Sequence, residues 1–188
     1  PVEMPKDASL HEALALISQA QKPVIYGGGG IVLGDAVQAF RTFVDATQIP
    51  TVLTLKALGS LATAHPLHLG MIGMHGSRAA NLAVQESDLL IVVGARFDDR
   101  ATGKLAEFAP NARVVHMDID ACEIGKLRHA DAGVRGDIAT TLTKLTLACA
   151  AHLHGRHGTV RKAWRAQCQQ RARQHAARYD APGETVFA

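Results

Sequence analysis

Leu89-Leu90-Ile91-Val92-Val93 runs directly into Gly94-Ala95-Arg96-Phe97-Asp98-Asp99-Arg100. Five successive large apolar side chains without alternation describe a strand buried on both faces, which is the habit of a parallel sheet. The glycine and the charges after it then emerge at the carboxyl end of that strand, where open α/β sheets bind ligands. Two arginines at such a rim favour an anionic ligand.

The same arrangement occurs on either side of this stretch. Pro23-Val24-Ile25-Tyr26 leads into Gly27-Gly28-Gly29-Gly30, and Arg113-Val114-Val115-His116-Met117 leads into Asp118-Ile119-Asp120. Three apolar runs ending in residues suited to ligand contact describe a nucleotide-type crevice. Between them the pattern alternates. A helix over Ala8–Gln19, with Asp7 as its N-cap, precedes the first strand; a helix over Asp35–Thr47 and a strand over Ile49–Thr54 complete one βαβ unit. Lys56–Gly76 reads as a long binding connection. A helix over Ser77–Glu86, the strand ending at Val93, a short helix over Gly103–Phe108, a helical turn over Ala121–Leu127, a strand at Val134–Gly136 and a helix capped by Asp137 and ending near Ala150 follow. The alternation predicts an α/β fold, a doubly wound parallel sheet of five or six strands, over residues 1–150.

With 188 residues, 47% of them apolar, the chain accommodates one well-buried domain plus an appendage. Its net charge of +3 is unevenly placed: residues 1–150 hold 13 Lys and Arg against 15 Asp and Glu, and residues 151–188 hold 7 against 2. That basic segment, 151–188, reads as a linker and a polar helix from Thr159 to about Tyr179. Its few apolar anchors predict loose docking on the core or on a neighbouring chain, with Trp164 as the one residue able to change that. Along the polar helix only Trp164 and Tyr179 offer stacking platforms, which argues against nucleic acid. His152, His154 and His157 lie in a glycine-flanked stretch without a carboxylate, a poor metal site. No apolar run reaches the roughly 18–20 residues that span a bilayer, and Pro1–Leu10 lacks the form of a secretion signal, so the expected location is the cytoplasm with no membrane partner. Cys122, Cys149 and Cys168 have no CxxC spacing and encode neither a disulfide framework nor a zinc site.

The glycine run does not make the dinucleotide fingerprint GxGxxG, because Val32 or Leu33 occupies the third glycine's place. The second strand also lacks an acidic end to hold a nicotinamide ribose. The glycines leave two readings open, a tight turn or close backbone approach to a ligand.

Three strings in order carry a resemblance: Leu69-Gly70-Met71-Ile72-Gly73-Met74-His75-Gly76, Gly94 to Lys104, and His116-Met117-Asp118-Ile119-Asp120. Over residues 8–150 the chain resembles the central domain of acetolactate synthase (acetohydroxyacid synthase) large subunits. The resemblance implies part of a thiamine diphosphate and Mg²⁺ dependent carboligase that joins pyruvate to a second 2-oxo acid in branched-chain amino-acid synthesis. It also implies a middle domain holding FAD without net redox, a homo-oligomer, and an association with outer domains, with a regulatory subunit as a further partner. The diphosphate domain's Gly-Asp-Gly string has no counterpart here, and Asn81 and Asn111 are the only asparagines. The chain is therefore expected to be an isolated middle domain, inactive alone and without catalytic residues.

Carried over position by position, the resemblance implies FAD contacts at Gly28, Gly29, Thr54, Leu55, Gly73, Met74, His75, Gly94, Arg96, Asp98, Asp118, Ile119, Gly136 and Asp137. Gly94 and Arg96 match the ribityl and diphosphate stretch, Asp118 and Ile119 the adenosine end, and Gly73-Met74-His75 the isoalloxazine side. Arg100 is the implied contact for a substrate carboxylate. Other readings stand beside these: Asp98 and Asp99 as a solvated pair or helix cap, His116, Asp118 and Asp120 as metal ligands along a strand, Met71 and Met74 as core filler. For the whole, the alternatives are the middle domain of glyoxylate carboligase or another 2-oxo-acid decarboxylase or oxidase, or a structural assembly domain with an empty crevice.

Overall fold

Consecutive strand residues divide between two apolar clusters. Ile25, Leu53, Leu89, Ile91, Val93, Val115 and Met117 join one, while Val24, Tyr26, Val52, Leu90, Val92 and Val114 join the other. This is the alternation of a sheet covered on both faces. The computed structural model describes residues 3–152 and 158–176. Within them, β1 (Pro23–Gly27), β2 (Thr51–Leu53), β3 (His68–Met71), β4 (Leu89–Val93), β5 (Arg113–Asp118) and β6 (Ala132–Arg135) form one all-parallel sheet, in the order β3-β2-β1-β4-β5-β6. The helices are α1 (Asp7–Gln19), α2 (Gly30–Leu33), α3 (Val37–Thr47), α4 (Arg78–Glu86), α5 (Asp99–Thr102), α6 (Ile138–His152) and α7 (Gly158–Gln174).

The strand order reverses direction between β1 and β4. From β1 the chain proceeds outward through β2 to β3, and from β4 it proceeds through β5 to β6, so the connections leave the centre on opposite sides. A crevice opens at such a point, at the carboxyl ends of the strands. Gly27, Gly94 and Asp118 sit at those ends on the neighbouring strands β1, β4 and β5, as the apolar runs predict.

Several element limits differ from expectation. Asp7 lies inside the first turn of α1 and Lys6 holds the N-cap position, without a side-chain bond. The helix expected over Asp35–Thr47 starts at Val37, because Asp35 takes a left-handed φ of 49° that interrupts helical geometry. The strand expected over Ile49–Thr54 is shorter, Thr51–Leu53. Lys56–Gly76 is not a continuous connection, since its His68–Met71 forms the edge strand β3; His68-Leu69-Gly70-Met71 is too short and glycine-containing to signal a strand by pattern. The helix expected over Gly103–Phe108 shrinks to a 3₁₀ turn at Leu105–Glu107, and Ala121–Leu127 is a run of turns. The last strand is Ala132–Arg135, displaced toward its amino end from Val134–Gly136. Asp137 caps α6 as expected, its Oδ1 accepting the Thr140 amide, whereas Ser77, expected as the first helical residue, is the N-cap of α4, its Oγ accepting the Ala80 amide.

One face of the sheet carries α1, α3 and α6, and the other carries α4 and α7. The connection from β2 to β3 supplies only a 3₁₀ turn, Leu55–Ala57, and no helix over its own strands. α7 covers that ground. Trp164 is 3% exposed and clusters with Val24, Val52 and Leu69, and its indole N–H donates to the Pro23 carbonyl at 3.0 Å. Arg161 donates to the Ala20 carbonyl at 2.9 Å and to the Ile17 carbonyl, at the end of α1, and Arg171 pairs with Glu86 at 2.9 Å. Loose docking is thus corrected: few apolar anchors are present, but Trp164 and Cys168 are buried in full. Of the stretch His152–Gly158, residues 153–157 lie outside the described residues, as does Tyr179.

Candidate functional site

Two backbone segments interlock at the floor of the crevice. The Gly28 amide donates to the Val93 carbonyl and the Gly30 amide to the Gly94 carbonyl, both at 2.9 Å. A Cβ on Gly28 would lie 2.3 Å from the Gly94 oxygen, and Gly94 itself has a left-handed φ of 54° with its Cα side against Gly30. The glycines therefore serve close approach of one loop to the other. Gly27 faces the side chains of Leu53, Ile31 and Phe40, so it belongs to the core.

From this floor a crevice of about 1000 Å³ extends along the strand ends. Of the residues implied by the resemblance, Gly28, Gly29, Thr54, Leu55, Met74, His75, Gly94, Arg96, Asp98, Asp118, Ile119 and Asp137 line it, together with Arg100. Gly73 and Gly136 do not: Gly73 packs against the Arg100 carbonyl and Gly136 against Pro5. Lining reaches from the residues after β3 to those after β6, five strand spacings, or about 24 Å at ~4.8 Å each. Met71 belongs to this lining and is half-buried, while Met74 is 75% exposed at the rim, so neither is core filler.

Residues 95–98 alternate as an extended segment: Ala95 and Phe97 turn inward, Arg96 and Asp98 outward. Phe97 stacks on Tyr26 at 5.9 Å and meets Phe108 edge-on at 6.2 Å, which anchors the segment from below. Burial raises the Tyr26 phenol far above its ordinary value, so it stays a hydroxyl. Asp98 is the N-cap of α5, its Oδ1 accepting the Arg100 amide at 3.1 Å. That amide first, then the Asp99 side chain and the charges of Arg96 and Arg100, hold the exposed Asp98 carboxyl below its usual range. This geometry makes Asp98 a capping residue with one oxygen already engaged. Arg100 is held through its backbone: its carbonyl accepts the Met74 amide at 3.1 Å, while Asn81 brackets Gly73 by accepting its N–H and donating to its C=O, each at 3.0 Å.

Asp118 is half-buried at the end of β5, and its Oδ1 accepts the Asp120 amide at 2.9 Å. Among the described residues no hydrogen bond engages its Oδ2. Asp120 in turn accepts the Cys122 amide at 2.9 Å, so these carboxylates shape a turn, and no group of three His, Cys, Asp or Glu side chains among the described residues converges to hold a metal ion. His116, two residues earlier on the same strand, is buried in the interior, 1% exposed.

Sequence reasoning missed Lys56, Val32, Leu33 and Glu123, all of which line the crevice. Lys56 follows directly on the Thr54-Leu55 pair, and its place three residues beyond the end of β2 was the available signal. Val32 and Leu33 carried no signal, since an exposed apolar pair in a four-residue helix looks like core in the sequence. Leu33 is 91% exposed, and with Val32, Leu55, Met74 and Ile119 it gives the rim an apolar character. The crevice thus combines cations at Lys56, Arg96 and Arg100, carboxylates toward the β5 end, and apolar side chains at the opposite end. It can hold a long ligand with an anionic middle, a hydroxyl-rich end and a flat apolar end.

The chain matches, over residues 10–145, a family described as "Thiamine pyrophosphate enzyme, central domain". It is similar to the acetolactate synthase isozyme 2 large subunit of Escherichia coli, 46% identical over 181 residues, which are 96% of this chain and 31% of that one. An acetolactate synthase of Mycobacterium bovis is 49% identical over 154 residues, 82% of this chain and 25% of that protein. The isozyme 1 large subunit of Escherichia coli is 48% identical over 139 residues, 74% and 24% respectively. This chain accordingly spans about a quarter to a third of the length of these relatives. With the central-domain match covering most of the chain, and a doubly wound sheet in the form that such a domain takes, this chain belongs to the thiamine pyrophosphate enzyme central-domain family, on its acetolactate synthase branch.

Proposed function

We propose that this chain is the central domain of an acetolactate synthase large subunit and that its crevice holds FAD as a structural cofactor. The observation that carries the proposal is the 46% identity over 181 residues to an acetolactate synthase large subunit. The crevice fits the flavin dinucleotide in three respects. Its length of about 24 Å suits an extended dinucleotide rather than a single nucleotide. Arg96 and Lys56 present cations to a diphosphate, for which a planar guanidinium is well shaped. Asp118 keeps Oδ2 for a ribose hydroxyl, and Met74 and Leu55 offer apolar surface to a flat ring. Gly28 and Gly94 act beneath the ligand, holding the floor. FAD supplies no redox step in this reading; it braces the wall on which Arg100 stands.

In the whole enzyme, thiamine diphosphate with Mg²⁺ supplies decarboxylation of pyruvate and joining of the fragment to a second 2-oxo acid. This sequence carries no Gly-Asp-Gly string, and in this reading those groups are held by flanking domains. Arg100 would face the substrate carboxylate at the junction with them, in a cytoplasmic homo-oligomer that a regulatory subunit can join. The chain alone forms no acetolactate from pyruvate even with both added.

Titration of the purified chain with FAD, read by flavin fluorescence quenching, tests the cofactor assignment. Arg96→Ala removes charge-assisted bonds worth about 1.5–3 kcal/mol, so its affinity falls by about 10–150-fold. Equal affinity in both proteins moves the phosphate site elsewhere, and no binding by wild type removes FAD from this domain. Acetolactate formation by the full-length enzyme tests the activity.

A further inference from the structure

His116 is the one histidine of the described residues that is buried almost completely, at 1% exposure, and both of its ring nitrogens meet backbone. Nε2 lies 3.0 Å from the Ala95 carbonyl, in the segment after β4 that carries Arg96 and Asp98. Nδ1 lies 3.5 Å from the Gly125 amide, in the segment after β5 that carries Asp120 and Glu123. An amide N–H can only donate and a carbonyl can only accept, so the two contacts together select one form of the ring, neutral with its proton on Nε2.

We propose that His116 is a positioning residue of the crevice: its neutral ring, donating to Ala95 and accepting from Gly125, fixes the two lining segments that follow the adjacent strands β4 and β5 in one relative placement. Three further features agree. Burial, opposed by the Ala95 carbonyl and by the Asp118 and Glu123 charges, pushes the ring below its ordinary value of 6.5, which keeps it uncharged at neutral pH. Phe97 meets it edge-on at 5.7 Å, fixing the ring plane. The Tyr26 hydroxyl contacts the Arg96 carbonyl at 3.4 Å, so successive carbonyls of the Arg96 loop are tied to the sheet and only one of them, Ala95, is tied through His116 to the other segment. The Gly125 bond is the longer and weaker of the pair. At the strand ends the Gly94 amide donates to the Met117 carbonyl at 2.8 Å, and beyond that backbone bond the ring couples the two segments.

The consequence for ligand binding rests on the FAD reading; the coupling itself does not. Hydrogen exchange read by mass spectrometry on the purified chain separates the two. His116→Phe keeps a buried ring without polar atoms, and it raises exchange in both 94–100 and 119–128 while leaving α1 and α3 unchanged. His116→Gln places an amide N–H where Nε2–H stood and restores protection of 94–100 alone. His116→Asn places an oxygen near Nδ1 and restores 119–128 alone. FAD binding weakens about tenfold in His116→Phe, the size of one lost neutral hydrogen bond, and recovers in His116→Gln. A residue that only fills space would raise exchange throughout all three variants in step with their melting temperatures, and that result overturns the proposal. Should wild type bind no flavin, the cofactor reading falls and the exchange pattern still decides the role of His116. Should His116→Phe not fold, nitrogen NMR of the wild-type imidazole decides: protonated Nε2 with bare Nδ1 at pH 7 supports the proposal, and the opposite tautomer or a charged ring overturns it.

Discussion

Replacing Trp164 with alanine asks whether α7 is part of the fold or an attachment to it. Trp164 is 3% exposed in the second apolar cluster, with Val24, Val52 and Leu69 around it. Truncating a fully buried tryptophan costs about 3–5 kcal/mol in lost transfer energy and residual cavity. The Pro23 carbonyl, which accepts the indole N–H at 3.0 Å, would also lose its partner, and the Lys22 ammonium its place 5.7 Å from the ring centre. For a domain of this size each kcal/mol moves the melting temperature by about 2–4 °C, so Trp164→Ala should melt about 6–20 °C lower than wild type in a far-ultraviolet circular dichroism scan. Trp164→Phe separates the contributions: it retains an aromatic ring and loses the hydrogen bond, at about 1–3 kcal/mol. Removal of residues 153–188 should cost at least as much as Trp164→Ala. If Trp164→Ala melts within about 2 °C of wild type, α7 is not bearing on the sheet and the packing argument fails.

Three further outcomes follow from the structure. Gly28→Ala puts a methyl group 2.3 Å from the Gly94 oxygen and 2.4 Å from the Ala95 Cα, and since both are backbone the change should cost about 3 kcal/mol or more in urea denaturation, whereas Gly59→Ala, with nothing within 4 Å, should cost less. His116 and His68 both have pKa values lowered from 6.5, chiefly by burial, so the unfolded chain binds protons that the folded one refuses; stability should be full above pH 7, fall as pH drops below 6.5, and fall less steeply in His116→Asn. Burial pushes the thiols of Cys149 and Cys168 up to about 11 and about 12, so a chromogenic disulfide reagent at pH 8 should label Cys122, the exposed one, in the native chain and all three after denaturation.

What the sequence disclosed follows from how each signal is encoded. β1, β4 and β5 were legible because a strand buried on both faces writes itself as an unbroken apolar run, and the residues that end such runs, Gly28, Gly94, Arg96 and Asp118, fell into the crevice for the same reason. β3 was not, since an edge strand of four residues with a glycine and a histidine has little apolar area to bury. The docking of α7 was hidden because one tryptophan and three arginine contacts replace the apolar stripe by which helix packing is usually read. Gly73 and Gly136 were misplaced for a different reason: a position beside a site in sequence can be turned into the scaffold by one peptide. Lys56 shows the converse.

The borrowed helix on the second face has a kinetic consequence. Strands β1, β2 and β3 are complete by residue 71, yet the side chain that closes over them lies at 164, roughly a hundred residues later. During synthesis, at about 5–20 residues per second, Val24, Val52 and Leu69 therefore wait for several seconds without their cover. A contact between residues so far apart also adds loop-closure entropy to the last step of assembly and slows it. The emerging chain thus presents a defined apolar surface to chaperones or to a second nascent chain, and it is released from that exposure only when α7 arrives.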